Sequence, residues 1–194
     1  MAVRRASRGE DRRPHFIVDA SAFVPFFFPD SKPEDRHART VIVDLLRRRE
    51  AHEVLAHIPD FCMAECSKAF ARLAFGRLRD PDEARNLYRQ TVDALLDIVS
   101  STRTGLIRRL GLTRKHLVEI EEVFLAEYAL NPRHGDRLSG HDALIIAMAK
   151  HHARHFESAP VYILTGDAWL AEVCRRNAAE LPRAINTYAE RLPR

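Results

Sequence analysis

His15-Phe16-Ile17-Val18-Asp19-Ala20-Ser21 and Val161-Tyr162-Ile163-Leu164-Thr165-Gly166-Asp167 decide how this chain is read. In each, a short apolar run gives way to a polar turn that carries an aspartate. Runs this short, rich in β-branched and aromatic residues, predict buried strands. Between them the pattern alternates. Residues 36–50 put Val41, Ile42, Leu45 and Leu46 on one helical face, with Arg47 to Arg49 in the last turn, where cations suit the helix dipole. Residues 54–58 read as a second strand. Pro59-Asp60 then opens a helix of about twenty residues, with Asp60 as its cap.

Asp80-Pro81-Asp82-Glu83 is a strong helix opening, with an acceptor cap, proline at the first position and glutamate at the third. That helix runs to Ile98. A weak strand at 106–110 and a helix at 113–129 follow, and Asn131-Pro132 breaks the helix before a polar loop at 133–139. Asp142 heads a run, Ala143-Leu144-Ile145-Ile146-Ala147-Met148-Ala149, that is apolar on every side and therefore belongs inside the protein. After the strand at 161–164 come a helix at 168–179 and a last strand at 184–188. The apolar stretch 22–28, interrupted by Pro25, leads into a proline-containing loop at 29–33. Strands alternating with helices predict an open α/β fold with a mostly parallel sheet.

The chain has 194 residues, enough for one domain with a well-buried core. Hydrophobic residues make up 46% and charged residues 30%, the balance of a soluble globular protein. The net charge is +4 and the pI about 9.2, a mild basic excess that permits a nucleic-acid partner without demanding one. Residues 1–14 are polar and arginine-rich and read as a flexible basic arm. They lack the apolar region of a signal peptide, and 22–28 is too short to span a bilayer. Cys62, Cys66 and Cys174 form no C-x-x-C pair. The expectation is reduced thiols, a cytoplasmic location and no membrane partner.

Four acids stand out by position. Asp19 ends the first strand, Glu65 lies in the helix after the second, Asp142 heads the buried helix, and Asp167 follows the strand at 161–164. In an open parallel sheet, ligands bind beyond the carboxyl ends of strands, at the starts of the following helices. The four acids can therefore converge. Clustered carboxylates raise one another's pKa unless a cation compensates, and oxygen-only ligands favour Mg²⁺ or Mn²⁺ over Zn²⁺. Each acid also has a local explanation: Asp19 as a turn residue, Glu65 paired with Lys68, Asp142 in a capping box with Ser139, Asp167 as a helix cap.

The joint pattern resembles the PIN-domain family, in particular its VapC-type toxin ribonucleases. Phe16-Ile17-Val18-Asp19-Ala20-Ser21 resembles the family's opening strand with its first metal-binding aspartate. Ala64-Glu65 resembles the second acid. His141-Asp142-Ala143-Leu144-Ile145-Ile146-Ala147-Met148-Ala149 is the closest match, and Leu164-Thr165-Gly166-Asp167 resembles the strand end carrying the fourth acid. The resemblance covers about residues 15–188 and implies a Rossmann-like three-layer domain over 15–190, with a five-stranded, mostly parallel sheet flanked by helices. It further implies a Mg²⁺- or Mn²⁺-dependent endonuclease acting on single-stranded RNA, a homodimer and a cognate antitoxin. Asp19, Glu65 and Asp142 would be metal ligands, Asp167 a ligand or the holder of a water, and Ser21 and Thr165 the groups that orient them. The chain departs from a minimal member in its basic arm, in a stretched 100–139 region and in residues 151–160. A housekeeping RNA-processing nuclease and a non-catalytic PIN-fold protein that binds RNA or protein are the alternatives. A phosphatase on a similar sheet lacks its D-x-D motif here.

Lys68, Arg72 and Arg79 follow Glu65 at i+3, i+7 and i+14, a stripe that can guide a phosphate backbone or simply face water. His151 and His155 stand at i,i+4 without an evident third ligand. Cys62 and Cys66 read as small core residues, and Trp169 as a helix-packing residue or a base-stacking platform.

Overall fold

A computed structural model describes residues 12–28, 33–100, 105–130, 138–156 and 158–193. The chain runs through β1 (His15–Val18), α1 (Ala20–Phe27), α2 (Pro33–Glu50), β2 (Leu55–Pro59), α3 (Asp60–Arg77) and α4 (Pro81–Ile98). Then come β3 (Val99–Ser100), β4 (Ile107–Leu110), α5 (Arg114–Leu130), α6 (Gly140–His155), β5 (Val161–Thr165), α7 (Ala168–Arg176) and β6 (Arg183–Asn186).

The sheet order is β3-β4-β2-β1-β5-β6, and every neighbouring pair is parallel. Five strands of four or five residues make up the expected sheet, and the two-residue β3 adds a sixth at one edge. Helices flank this sheet in a Rossmann-like, three-layer α/β arrangement. That is why β1, β2 and most of β5 are buried along their length and read as short apolar runs rather than as alternating ones. From β1 the chain moves outward through β2 to β4, then returns to build β5 and β6 on the other side. The strand order reverses between β1 and β5, and a crevice opens there beyond their carboxyl ends.

Helix α6 lies against β5 and α5, and Ala143, Ile145, Ile146, Ala147, Met148 and Ala149 are all fully buried. Two elements differ from the sequence reading. Residues 22–27 of the apolar stretch belong to α1, which keeps Pro25 in its interior. Proline lacks the amide that would bond the Ser21 carbonyl, yet the helix stands because Ala22 and Phe23 are fully buried and the Phe27 ring meets Phe70 edge-on at 5.0 Å. Asp60 does not cap α3. Pro59 holds the cap position, and the Asp60 carboxylate accepts from Arg109 Nε at 2.8 Å, tying α3 to β4. Just before β1, the Pro14 carbonyl accepts the Leu55 amide at 2.9 Å. Residues 1–11, the break at Asn131-Pro132 and the loop up to 137 lie outside the described residues. Among the described residues, no helix is long and apolar enough to cross a membrane.

The Asp80 cap forms as read: its carboxylate accepts the amides of Asp82 and Glu83. Replacing it, Asp80→Ala, should lower stability by about 1 kcal/mol. Urea unfolding reads this directly, and a midpoint unchanged from the parent would mean that α4 is held by packing alone.

Candidate metal centre

Asp19 is the first residue beyond β1. It occupies the cap position of α1 with an extended backbone, but its side chain makes no capping bond. Instead Oδ2 accepts from Ser21 Oγ and, at 2.9 Å, from Thr165 Oγ1. Both hydroxyls are themselves fixed. Ser21 Oγ accepts the Gly166 amide at 2.8 Å, and Thr165 Oγ1 accepts the Asp167 amide at 2.9 Å. The turn after β5 is thereby locked to the start of α1. A Cβ on Gly166 would sit 2.6 Å from Cε2 of Tyr188 and 3.0 Å from the Ser21 carbonyl oxygen, so the approach requires glycine.

The other acids arrive from three helices. Asp167 caps α7, its Oδ1 accepting the amides of Trp169 at 2.6 Å and Leu170 at 2.9 Å. Asp142 stands in the first turn of α6 within a capping box: Oδ2 accepts the Ser139 amide at 2.9 Å, and Ser139 Oγ accepts the Asp142 amide at 3.2 Å. Glu65 projects from α3, where Oε1 meets His141 Nδ1 at 2.6 Å rather than Lys68. The His141 ring stacks on Phe61, with centroids 5.4 Å apart. The local explanations of Asp142 and Asp167 as cap residues hold. Both nonetheless line one open cleft of about 490 Å³ together with Asp19 and Glu65.

A fifth acid, Asp35 of α2, lines the same cleft. Its place in the first turn of a helix is explained by the dipole, so the sequence carried no separate signal for it. Val24, Phe28 and Leu73 supply apolar walls.

Asp19 is 5% exposed, whereas Glu65, Asp142 and Asp167 are half-buried. Burial pushes the Asp19 carboxyl above its ordinary value. The charges of Asp142 and Glu65 push the same way, against the two hydroxyl hydrogen bonds that favour the ionised form. Cys62 Sγ lies 4.0 Å from Asp19 Oδ1, and one ligand atom from each of Asp19, Cys62 and Glu65 falls within 4.8 Å of the others. Burial raises the Cys62 thiol and pushes Cys66 up to about 12, which fits the reading of both as core residues rather than nucleophiles. The donor set facing the cleft is carboxylate oxygen, the chemistry of Mg²⁺ or Mn²⁺.

Lys68 and Arg72 are exposed on α3, one position short of Ala69 and Leu73, which line the cleft beside Glu65. Arg79 lies past the end of α3 at Arg77 and so does not continue the helical stripe. Trp169 donates from Nε1 to Glu127 Oε1 at 3.0 Å and packs against the core, the packing role of the two read for it. His151 points to Glu119 at 3.2 Å, and His155 rests edge-on against Phe156, so the i,i+4 pair does not converge.

No family model matches the chain, and no curated protein matches it at a significant level.

Because the folded protein holds the Asp19 proton more tightly than the unfolded chain, the metal-free fold loses stability as pH rises from the ordinary value of 3.8 through the raised one. Asp19→Asn keeps an oxygen for Ser21 and Thr165 and removes the charge. In EDTA at neutral pH this variant should melt above the parent, with the gap closing as the pH falls toward 3.8. A gap that stays constant across that range would mean Asp19 is not the strained acid.

Proposed function

We propose that this protein is a Mg²⁺- or Mn²⁺-dependent endoribonuclease of the PIN type, cutting the phosphodiester backbone of single-stranded RNA. One observation carries the reading. Four acids from four separate parts of the sequence line a single cleft, at the point where a parallel sheet reverses its strand order. The residues present fit a hard divalent cation. The ligands are oxygen, and a cation would offset both the burial that raises the Asp19 pKa and the smaller push from Asp142 and Glu65.

Asp19, Glu65 and Asp142 would hold the ion, with Asp167 completing the set or positioning a water. The bound ion supplies Lewis-acid activation of water and neutralises charge growing on the phosphate. The chain's own residues set the geometry. Ser21 and Thr165 fix one oxygen of Asp19, leaving the other turned toward Cys62. The caps fix Asp142 and Asp167 through one oxygen each. Lys68 and Arg72, on the face of α3 beside the cleft, attract the phosphate backbone. Within the same proposal the nuclease is the toxin of a toxin–antitoxin pair, acting as a homodimer and blocked by its antitoxin. A housekeeping RNA-processing nuclease is the alternative, and an adjacent antitoxin gene separates the two. The capping bonds of Asp142 and Asp167 also favour a second reading, a non-catalytic RNA- or protein-binding module, because they account for two of the acids without a metal.

The decisive assay is cleavage of a mixed single-stranded RNA with Mn²⁺, Mg²⁺ or EDTA. Asp142→Asn keeps an oxygen that can accept the Ser139 amide of the capping box, so it should fold and yet lose more than roughly 100-fold of the cutting, beyond the usual effect of outer-shell changes. Ser21→Ala should lose about 10–100-fold. An absence of cutting together with an absence of any metal-induced rise in melting temperature would favour the binding module.

Lys68→Ala combined with Arg72→Ala should reduce the slope of log affinity against log salt by about 1–2, roughly one unit for each phosphate that the protein no longer neutralises. An unchanged slope would place the RNA on another face.

A further inference from the structure

At the opposite end of β1 from Asp19, three histidines meet inside the protein. His15 opens β1 and is fully buried; His57 of β2 and His152 in the last turn of α6 are 7% and 9% exposed. The sheet register explains the encounter. His57 pairs with Ile17, which shares a face of β1 with His15. Helix α6 covers the same place with its C-terminal end. His15 Nδ1 lies 2.7 Å from His152 Nε2, and the His57 ring is 4.7 Å from that of His152 and 5.4 Å from that of His15. One nitrogen from each of the three falls within 4.8 Å of the others. Phe156 packs on His15 and His152 at 4.5 and 4.6 Å and closes one side.

We propose that His15, His57 and His152 form a second, structural metal site for a borderline-soft divalent ion such as Zn²⁺ or Co²⁺, distinct from the acidic cleft. Zn–N bonds of about 2.0–2.1 Å place tetrahedral donors about 3.3 Å apart, so the three rings need shifts on the order of 1 Å. His57 Nε2 is buried with no hydrogen-bond partner among the described residues, a polar group that the fold leaves uncompensated. Burial keeps His57 well below its ordinary pKa and lowers His152 to about 3, so these ligand lone pairs are not contested by protons at neutral pH.

The surroundings also choose the metal. The three converging side chains offer imidazole nitrogen rather than oxygen, and Arg108 and Arg49 bring positive charge to His57. A hard ion such as Mg²⁺, which takes oxygen ligands, finds none in the trio. An ion bound through imidazole lone pairs is the class the site takes. The two sites are well separated, since His15 and Asp19 are four extended residues apart, about 13 Å. Asp142 and His152 are ten helical residues apart, about 15 Å.

The inference does not depend on nuclease activity and is tested without it. The full chain carrying Asp19→Asn and Asp142→Asn, stripped of metal, is titrated with Zn²⁺ and with Co²⁺. One equivalent should bind, with a melting rise of roughly 5 °C or more at a hundredfold excess over Kd. Adding His57→Phe should abolish both effects, the ring being of similar size and the site apolar. Zinc K-edge absorption on the otherwise unaltered protein covers the case in which a variant misfolds, and three imidazole ligands are expected. Binding that survives His57→Phe, a shell of oxygen ligands, or no zinc bound at all would each overturn the site.

Discussion

A carboxylate buried at the end of a central strand is costly, and much of the site is arranged around it. Water solvates an exposed aspartate, but Asp19 has lost most of that water. Two hydroxyls replace part of it. Each must come from a different segment, Ser21 from α1 and Thr165 from the end of β5, so their convergence specifies how the two sides of the strand-order reversal meet. Burial first, and the charges of Asp142 and Glu65 after it, raise the Asp19 carboxyl above its ordinary value even with those two hydrogen bonds in place. The same geometry explains why Gly166 carries no side chain and why the Asp167 amide turns back onto Thr165.

Most of the architecture was legible because it rests on local patterns that packing does not override. The runs at β1, β2 and β5 are too short for helices and read as buried strands, and the opening at Asp80 forms as its residue types require. Alternation of strands with helices gave the parallel sheet. Helix α1 was hidden by Pro25, which removes a backbone donor and marks a break by every local rule. Burial of Ala22 and Phe23 and the packing of Phe27 on Phe70 outweigh that penalty. Asp60 illustrates the opposite limit. Its type and position suit a cap, but α3 begins one residue earlier, with Pro59 at the cap position, and the carboxylate turns instead to Arg109 on β4, far along the chain.

The candidate site was legible because Asp19, Asp142 and Asp167 sit beside element boundaries, which fold topology brings to one edge. Glu65 lies inside α3, and it was the resemblance at Ala64-Glu65 that allowed it to be named with them. Asp35 could not be named, since an acid in the first turn of a helix is ordinary. The histidine trio was beyond sequence reasoning for a sharper reason. His15, His57 and His152 share no spacing, and only the register of β1 on β2 and the depth of α6 bring them together. The pair that did show a helical spacing, His151 and His155, points to different neighbours.

The separation of Asp19 from the Thr165 hydroxyl, 146 positions, bears on biosynthesis. At about 5–20 residues per second, a ribosome takes roughly 7–30 s to make the chain between them. Until then β1 lacks β5, its neighbour in the middle of the sheet, and the carboxylate stays in water with its ordinary affinity for protons and ions. No nascent fragment that ends before Asp167 carries all four acids of the cleft. Any chemistry the cleft performs is therefore withheld from the messenger being translated until nearly all of the domain has been synthesised.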